Sequence, residues 1–235
     1  MNTVTTENQF AMLASTGGYG FSNFDPAFLQ EEEVIICPIA IDISPSMQPY
    51  TKELNEAFEA FITEMQGNTH VVNKLMVKSS EFNEDVKVRA GFMPVTNVDT
   101  SNFKFRPCGE ATALADAALE AVDSAVEYKE KLEQSGITCK VIVFVITDGI
   151  ENASKSNFTA VKRKLDDVMK NEKNVFSFET ILFGIGDRNN FEPAQKAMGF
   201  KHLAVVGQTG KDVRKLIGFI SASISKSSSG QQITF

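Results

Sequence analysis

Residues 34–47 read Val34-Ile35-Ile36-Cys37-Pro38-Ile39-Ala40-Ile41-Asp42-Ile43-Ser44-Pro45-Ser46-Met47. An apolar run of this kind reads as a buried strand. It ends abruptly in Asp-x-Ser-x-Ser, so the exposed tip of the strand carries one carboxylate and two hydroxyls. Hard oxygen ligands packed this densely suit a hard divalent cation such as Mg²⁺. Residues 42–46 offer no imidazole, thiol or lysine that would favour another chemistry.

The rest of the chain alternates in the same way from residue 34 onward. Val34–Ile41 is strand one. Apolar residues at 54, 57, 58, 61, 62 and 65 predict a helix over 51–66. Leu75–Ser79 and Val86–Phe92 flank Asn83-Glu84-Asp85 and predict a hairpin. Leu114–Leu132 is a long amphipathic helix. Val141–Ile146 is an unbroken, largely β-branched run, the signature of a strand covered on both faces. Phe158–Met169 reads as a helix, Val175–Phe183 as a strand, Phe191–Met198 as a short helix and His202–Val206 as a short strand. Lys211–Ile224 is the last helix, and Ser225–Gly230 looks frayed. This βαββαβαβαβα series predicts an α/β, doubly wound, Rossmann-like fold. Its sheet is mostly parallel, with one antiparallel edge strand from the hairpin and helices on both faces. Residues 34–226 form this domain. Residues 1–33, rich in Ser, Thr, Asn, Gly and Phe, read as a flexible or docking N-terminal arm, and 227–235 as a short tail.

In such sheets ligands bind beyond the carboxyl ends of the strands, where strand order reverses. Three segments should meet there: Asp42-x-Ser44-x-Ser46, Gly109-Glu110-Ala111-Thr112 before the long helix, and Thr147-Asp148-Gly149 after the Val141–Ile146 strand. A site built mainly from neutral hydroxyls, with carboxylates further out, leaves a cation electrophilic and ready to accept a charged oxygen from elsewhere.

The pattern Asp-x-Ser-x-Ser, a loop Thr and then Thr-Asp-Gly resembles the metal-ion-dependent adhesion site of von Willebrand factor A (VWA) domains. The resemblance covers about residues 34–224. It extends to the Phe82-to-Val88 hairpin segment and to a strand ending in Gly184-Ile185-Gly186. The resemblance implies that Ser44, Ser46 and Thr112 coordinate Mg²⁺ (or Mn²⁺) directly or through water. Asp42 and Asp148 would act mostly through water, and an Asp or Glu of a partner protein would complete the shell. Two positions depart from the family pattern: Pro45 stands between the serines, and Ala111 replaces a Gly common before the Thr. A stand-alone intracellular member is implied, similar to tellurite-resistance-type proteins of bacteria and phages or to partners of chelatase-like AAA+ ATPases.

Composition narrows the function. The net charge of −7 and a pI near 5.0 argue against nucleic acid or an anionic membrane as the main partner. No stretch approaches the ~20 apolar residues of a membrane span, and residues 1–20 lack the features of a secretory signal. The three cysteines form no disulfide framework. An expected four-residue offset between Cys37 and Cys139 is about 13 Å, too far for a bridge, which points to a reducing cytoplasmic setting.

The expected function is a non-enzymatic, metal-dependent protein-interaction module. The alternative is a structural subunit of a larger assembly, such as a phage particle or an AAA+-linked complex, whose metal only staples loops. A phosphohydrolase of the haloacid-dehalogenase type needs a second acid two residues after Asp42, and Ser44 stands there. His70 and His202 lie far from the motifs. Lys162-Arg163-Lys164 reads as a solvated helix face, Gly184-x-Gly186 as a turn, and Cys108 as an inert thiol.

Overall fold

The computed structural model describes residues 33–102 and 104–229. The expected N-terminal arm (1–33) lies outside the described residues except for Glu33, which opens the first strand. Of the expected tail (227–235), residues 230–235 lie outside them, while Ser227 and Ser228 belong to the last helix. Six strands form one sheet: β1 (Glu33–Asp42), β2 (Leu75–Phe82), β3 (Val86–Pro94), β4 (Thr138–Thr147), β5 (Phe178–Ile185) and β6 (His202–Val206). Their spatial order is β3-β2-β1-β4-β5-β6. Only the β2–β3 pair is antiparallel. The helices are α1 (Thr51–Gly67), α2 (Leu114–Gln134), α3 (Phe158–Met169), α4 (Glu172–Ser177), α5 (Arg188–Met198) and α6 (Gly210–Ser228). This is the doubly wound α/β fold read from the sequence.

Side-chain alternation divides the core into two halves. Ile35, Cys37, Ile39 and Ile41 of β1 and Ile142, Phe144 and Ile146 of β4 pack with α1 and α6. Val34, Ile36 and Ala40 of β1 and Val141, Val143 and Val145 of β4 pack with α2, α3 and α5. Both central strands are therefore buried on both faces, which explains why they read as continuous apolar runs. Asp42 and Thr147 fall on the α2 side by the same alternation. Helix α2 also starts at the strand tips, so its N-terminal loop lies over these two residues.

Chain punctuation follows local chemistry. Asn157, Asp187 and Thr209 cap α3, α5 and α6 through their own side chains. Gly199 ends α5 in the left-handed conformation, at φ 72°. In the β2–β3 turn, Asn83 N donates to Asp85 O and Asp85 N to Asn83 Oδ1, both at 3.1 Å. Gly184 serves packing as well as the strand end: a Cβ there would sit 2.2 Å from the ring of buried Phe191.

Three readings need correction. The strand expected at Val175–Phe183 begins only at Phe178, because residues 172–177 form α4. The α4 turn is held by Asn174 Nδ2 donating to Val168 O at 2.9 Å and by Lys201 Nζ donating to Val175 O at 2.6 Å. Both partners lie outside the 175–183 run, Lys201 26 residues beyond Val175, so the apolar run alone could not reveal them. At the C-terminus, α6 continues to Ser228 rather than fraying at 225, with Ser228 Oγ donating to Ser225 O. Cys37 and Cys139 are free and buried. Cys139 pairs in register with Val34, an offset of three residues rather than four. Among the described residues no helix is long and apolar enough to cross a membrane.

Candidate functional site

Strand order reverses between β1 and β4: the chain leaves β1 for β2 on one side and returns to β4 on the other. Asp42 is the last residue of β1, and Asp148 directly follows β4. Asp42 is fully buried. Its Oδ1 accepts from Ser44 N at 2.7 Å and its Oδ2 from Thr147 Oγ1 at 2.5 Å. Thr147 Oγ1 also accepts from Gly149 N at 2.9 Å. These bonds fix the carboxylate and turn the chain after β4.

Ser44 precedes a 3-10 helix over Pro45–Tyr50. Pro45 occupies the first helical position, where its missing N–H costs nothing and its fixed φ suits the turn. Ser44 makes no side-chain capping bond, so its hydroxyl is left for other partners. Ser46 is not a helix cap either. Ser44 Oγ and Ser46 Oγ are 3.1 Å apart, and Ser46 Oγ donates to Asp148 Oδ1 at 2.7 Å. Thr112 is buried in the loop before α2. A Cβ on Gly149 would lie 3.0 Å from Thr112 Oγ1 and 3.6 Å from Asp42 Oδ2. Gly149 thus lets Thr112 and Asp42 approach across it, and all five expected site residues meet at one edge.

The loop carrying Thr112 is anchored upstream as well. Cys108 N donates to Ile43 O at 2.7 Å, and Asn83 Nδ2 donates to Cys108 O at 3.2 Å. Gly109 has φ +87°, and a Cβ there would lie 2.1 Å from Glu84 Oε2. The positive φ favours glycine at 109, and a Cβ there would also require the Glu84 and Asn83 side chains to shift. The loop accommodates Ala111 with its special glycine two positions earlier.

Electrostatics set this edge apart. Burial pushes the Asp42 carboxyl up from its ordinary 3.8 to about 6, against the bonds from Thr147 and Ser44, and the Asp148 charge pushes the same way. Burial also raises Asp148, against the bond from Ser46. Among the described residues no Lys, Arg or His contributes to either shift. Two carboxylates crowded among hydroxyls, with no offsetting cation among the described residues, fit a divalent metal. Among the described residues no group of three or more His, Cys, Asp and Glu is placed to hold a metal. Here two carboxylates would share the work with three hydroxyls.

Thr147 belongs to the Thr-Asp-Gly tripeptide but not to the expected ligand set, yet its hydroxyl bonds Asp42 directly. The alternation along β4, which puts Thr147 on the same face as Asp42, was the available signal. Glu151 and Asn152 belong to none of the three motif segments; they bind the α2 entrance across more than 35 residues, and no local pattern announces that. His202 instead bonds Glu179 at 2.7 Å, away from the site. Lys162 and Lys164 pair with Asp166 and Asp123, as a solvated face would.

No protein-family model matches the chain, and no curated protein matches it in sequence. Solved structures do. The pilus adhesin SpaC from Lactobacillus rhamnosus GG aligns with a TM-score of 0.61 at 12% identity, over 84% of this chain and 31% of that one. The von Willebrand factor type A structure from Catenulispora acidiphila gives 0.56 at 12%, over 82% and 43%. The SpRpn10 VWA domain gives 0.52 at 11%, over 78% and 94%. The chain spans less than half the length of the first two. At these identities the likeness concerns the fold, which is that of VWA domains.

Proposed function

We propose that the chain is a non-enzymatic protein-interaction module that recognises an acidic side chain of a partner through a bound Mg²⁺ or Mn²⁺. The convergence of Asp42, Asp148 and the Ser44, Ser46 and Thr112 hydroxyls at the switch point carries this reading. The Ser44, Ser46 and Thr112 oxygens would hold the ion, and Asp42 and Asp148 would supply negative charge. The ion would supply an electrophilic centre for a partner's Asp or Glu. The residues of the chain do the rest. Thr147 and Ser44 N hold the Asp42 carboxylate, Ser46 positions Asp148, and Gly149 lets the Thr112 loop close.

Pilus adhesins and VWA domains among the structural neighbours support a protein partner. A cytoplasmic role like that of tellurite-resistance-type proteins is the context we propose. The test is an affinity pull-down from native lysate in Mg²⁺, repeated in EDTA and with the Asp42→Ala/Ser44→Ala variant. A partner lost in both controls supports metal-bridged recognition. A partner retained in both overturns it and leaves the site, at most, a staple for the loops. The staple reading also predicts that Ser46→Ala leaves any assembly intact.

A further inference from the structure

Helix α2 has an unusual start. Its N-cap residue, Ala113, has no side chain that can cap. The Ala115 and Asp116 amides are instead satisfied by the loop that follows β4. Glu151 Oε2 accepts from Ala115 N at 2.7 Å and from Ser154 Oγ at 2.6 Å. Glu151 Oε1 accepts from Ala153 N at 2.9 Å and Ser154 N at 2.7 Å. Ser154 Oγ in turn accepts from Asp116 N at 3.0 Å. In the opposite direction, the Asp116 carboxylate accepts from Lys155 N and Ser156 N, both at 2.8 Å. A negative charge at a helix N-terminus is favourable, and the Glu151 carboxylate is fully occupied by four donors.

Between this cap and the site lies Asn152. Its Oδ1 accepts from Thr112 N at 2.7 Å, and its own backbone N donates to Thr112 O at 3.1 Å. Both peptide groups of Thr112 are therefore held by one residue, four positions beyond Asp148. The two loops that carry Thr112 and Asp148 form one unit with the start of α2.

We propose that Asn152 is a positioning residue for the metal site, acting through Thr112, with Glu151 anchoring the loop that presents it. The inference rests on the metal-site reading given above. Freed from Asn152, the Thr112 backbone can rotate its hydroxyl away from Asp42 and Gly149. Outer partners that orient a ligand typically account for 10–100-fold in metal affinity.

Two measurements test this, and they fail separately. The first needs no metal: amide hydrogen exchange at Thr112 in EDTA. Asn152→Ala should accelerate exchange there while amides in β1 and β4 keep their protection. Unchanged exchange at Thr112 overturns the clamp itself. The second is a Mn²⁺ titration of four forms: wild type, Asn152→Ala, Thr112→Ala and the double variant. Asn152→Ala should weaken Mn²⁺ by about 10–100-fold in the wild-type background and by less than about twofold where Thr112 is alanine, because the effect passes through Thr112. An equal loss in both backgrounds, or no loss in either, overturns the positioning role. A wild type that binds no Mn²⁺ overturns the metal reading together with this role. If Asn152→Ala does not fold, Asn152→Gln, which displaces the amide by one methylene, carries the same comparison.

Discussion

Asp42 shows at the scale of one residue how a site can weaken the fold that carries it. Its carboxylate is wholly buried, near a second carboxylate, with hydroxyl and amide donors but no offsetting cation among the described residues. Asp42→Asn removes the charge and keeps the shape. In EDTA near neutral pH, the variant is expected to be more stable than wild type by about 1–3 kcal/mol, the worth of a carboxyl pushed up this far. Divalent metal should raise the melting temperature of wild type but not of Asp42→Asn. Differential scanning calorimetry with and without Mg²⁺ checks both. The candidate residues themselves were legible in sequence because hydroxyls and carboxylates stood at the ends of apolar runs. Asn152 and Glu151 were not, because an Asn and a Glu in a loop look the same whether they face water or a helix start 36 or more residues away.

At the scale of elements, β2 and α2 share a buried ion pair. Lys78 is 1% exposed, pairs with Glu120 and donates to Ser124 Oγ at 2.8 Å, with its ammonium 5.9 Å from the Phe92 ring centroid. Burial lowers the Lys78 pKa, and Glu120 opposes that shift. Lys78→Met alone leaves Glu120 without its cation and is expected to cost about 3 kcal/mol. The Lys78→Met/Glu120→Met pair should recover most of it, since replacing a whole buried pair by apolar groups is often neutral. Urea unfolding of the three forms measures this. Strand and helix existence was legible wherever period and length agreed, as in α1, α2 and β4. Legibility failed at 175–177, where exposed Val175, a bond from distant Lys201 to Val175 O and one from Asn174 to Val168 O select a helical turn over a strand. It also failed for Lys78: a lysine in a strand reads as solvent-facing, and only the α2 residues opposite show why it is not.

At the scale of the whole molecule, all the candidate chemistry sits at one end of the sheet, while stabilising contacts are spread over both faces. One such contact sets a pH dependence. Burial would raise the Glu179 pKa, but hydrogen bonds from His202 and Lys201 and their charges outweigh it, and the net shift is downward. A lowered carboxylate stabilises the fold above its unfolded-state pKa and loses that contribution as pH falls through the folded value. Glu179→Gln should therefore lower the melting temperature at pH 7, while the difference from wild type shrinks towards zero in acid below the ordinary carboxylate range. Thermal melts across pH follow this; a difference that grows on acidification would contradict the sign.

The central claim is that the tips of β1 and β4 and the entrance of α2 build a divalent-metal site. Anomalous diffraction from crystals soaked in Mn²⁺ tests it most directly. The account predicts an anomalous peak within coordination distance, about 2–2.2 Å, of at least one hydroxyl among Ser44, Ser46 and Thr112, absent from Asp42→Ala crystals treated alike. A well-occupied Mn²⁺ elsewhere with none at these tips, or a peak there that persists in the Asp42→Ala crystals, would contradict it.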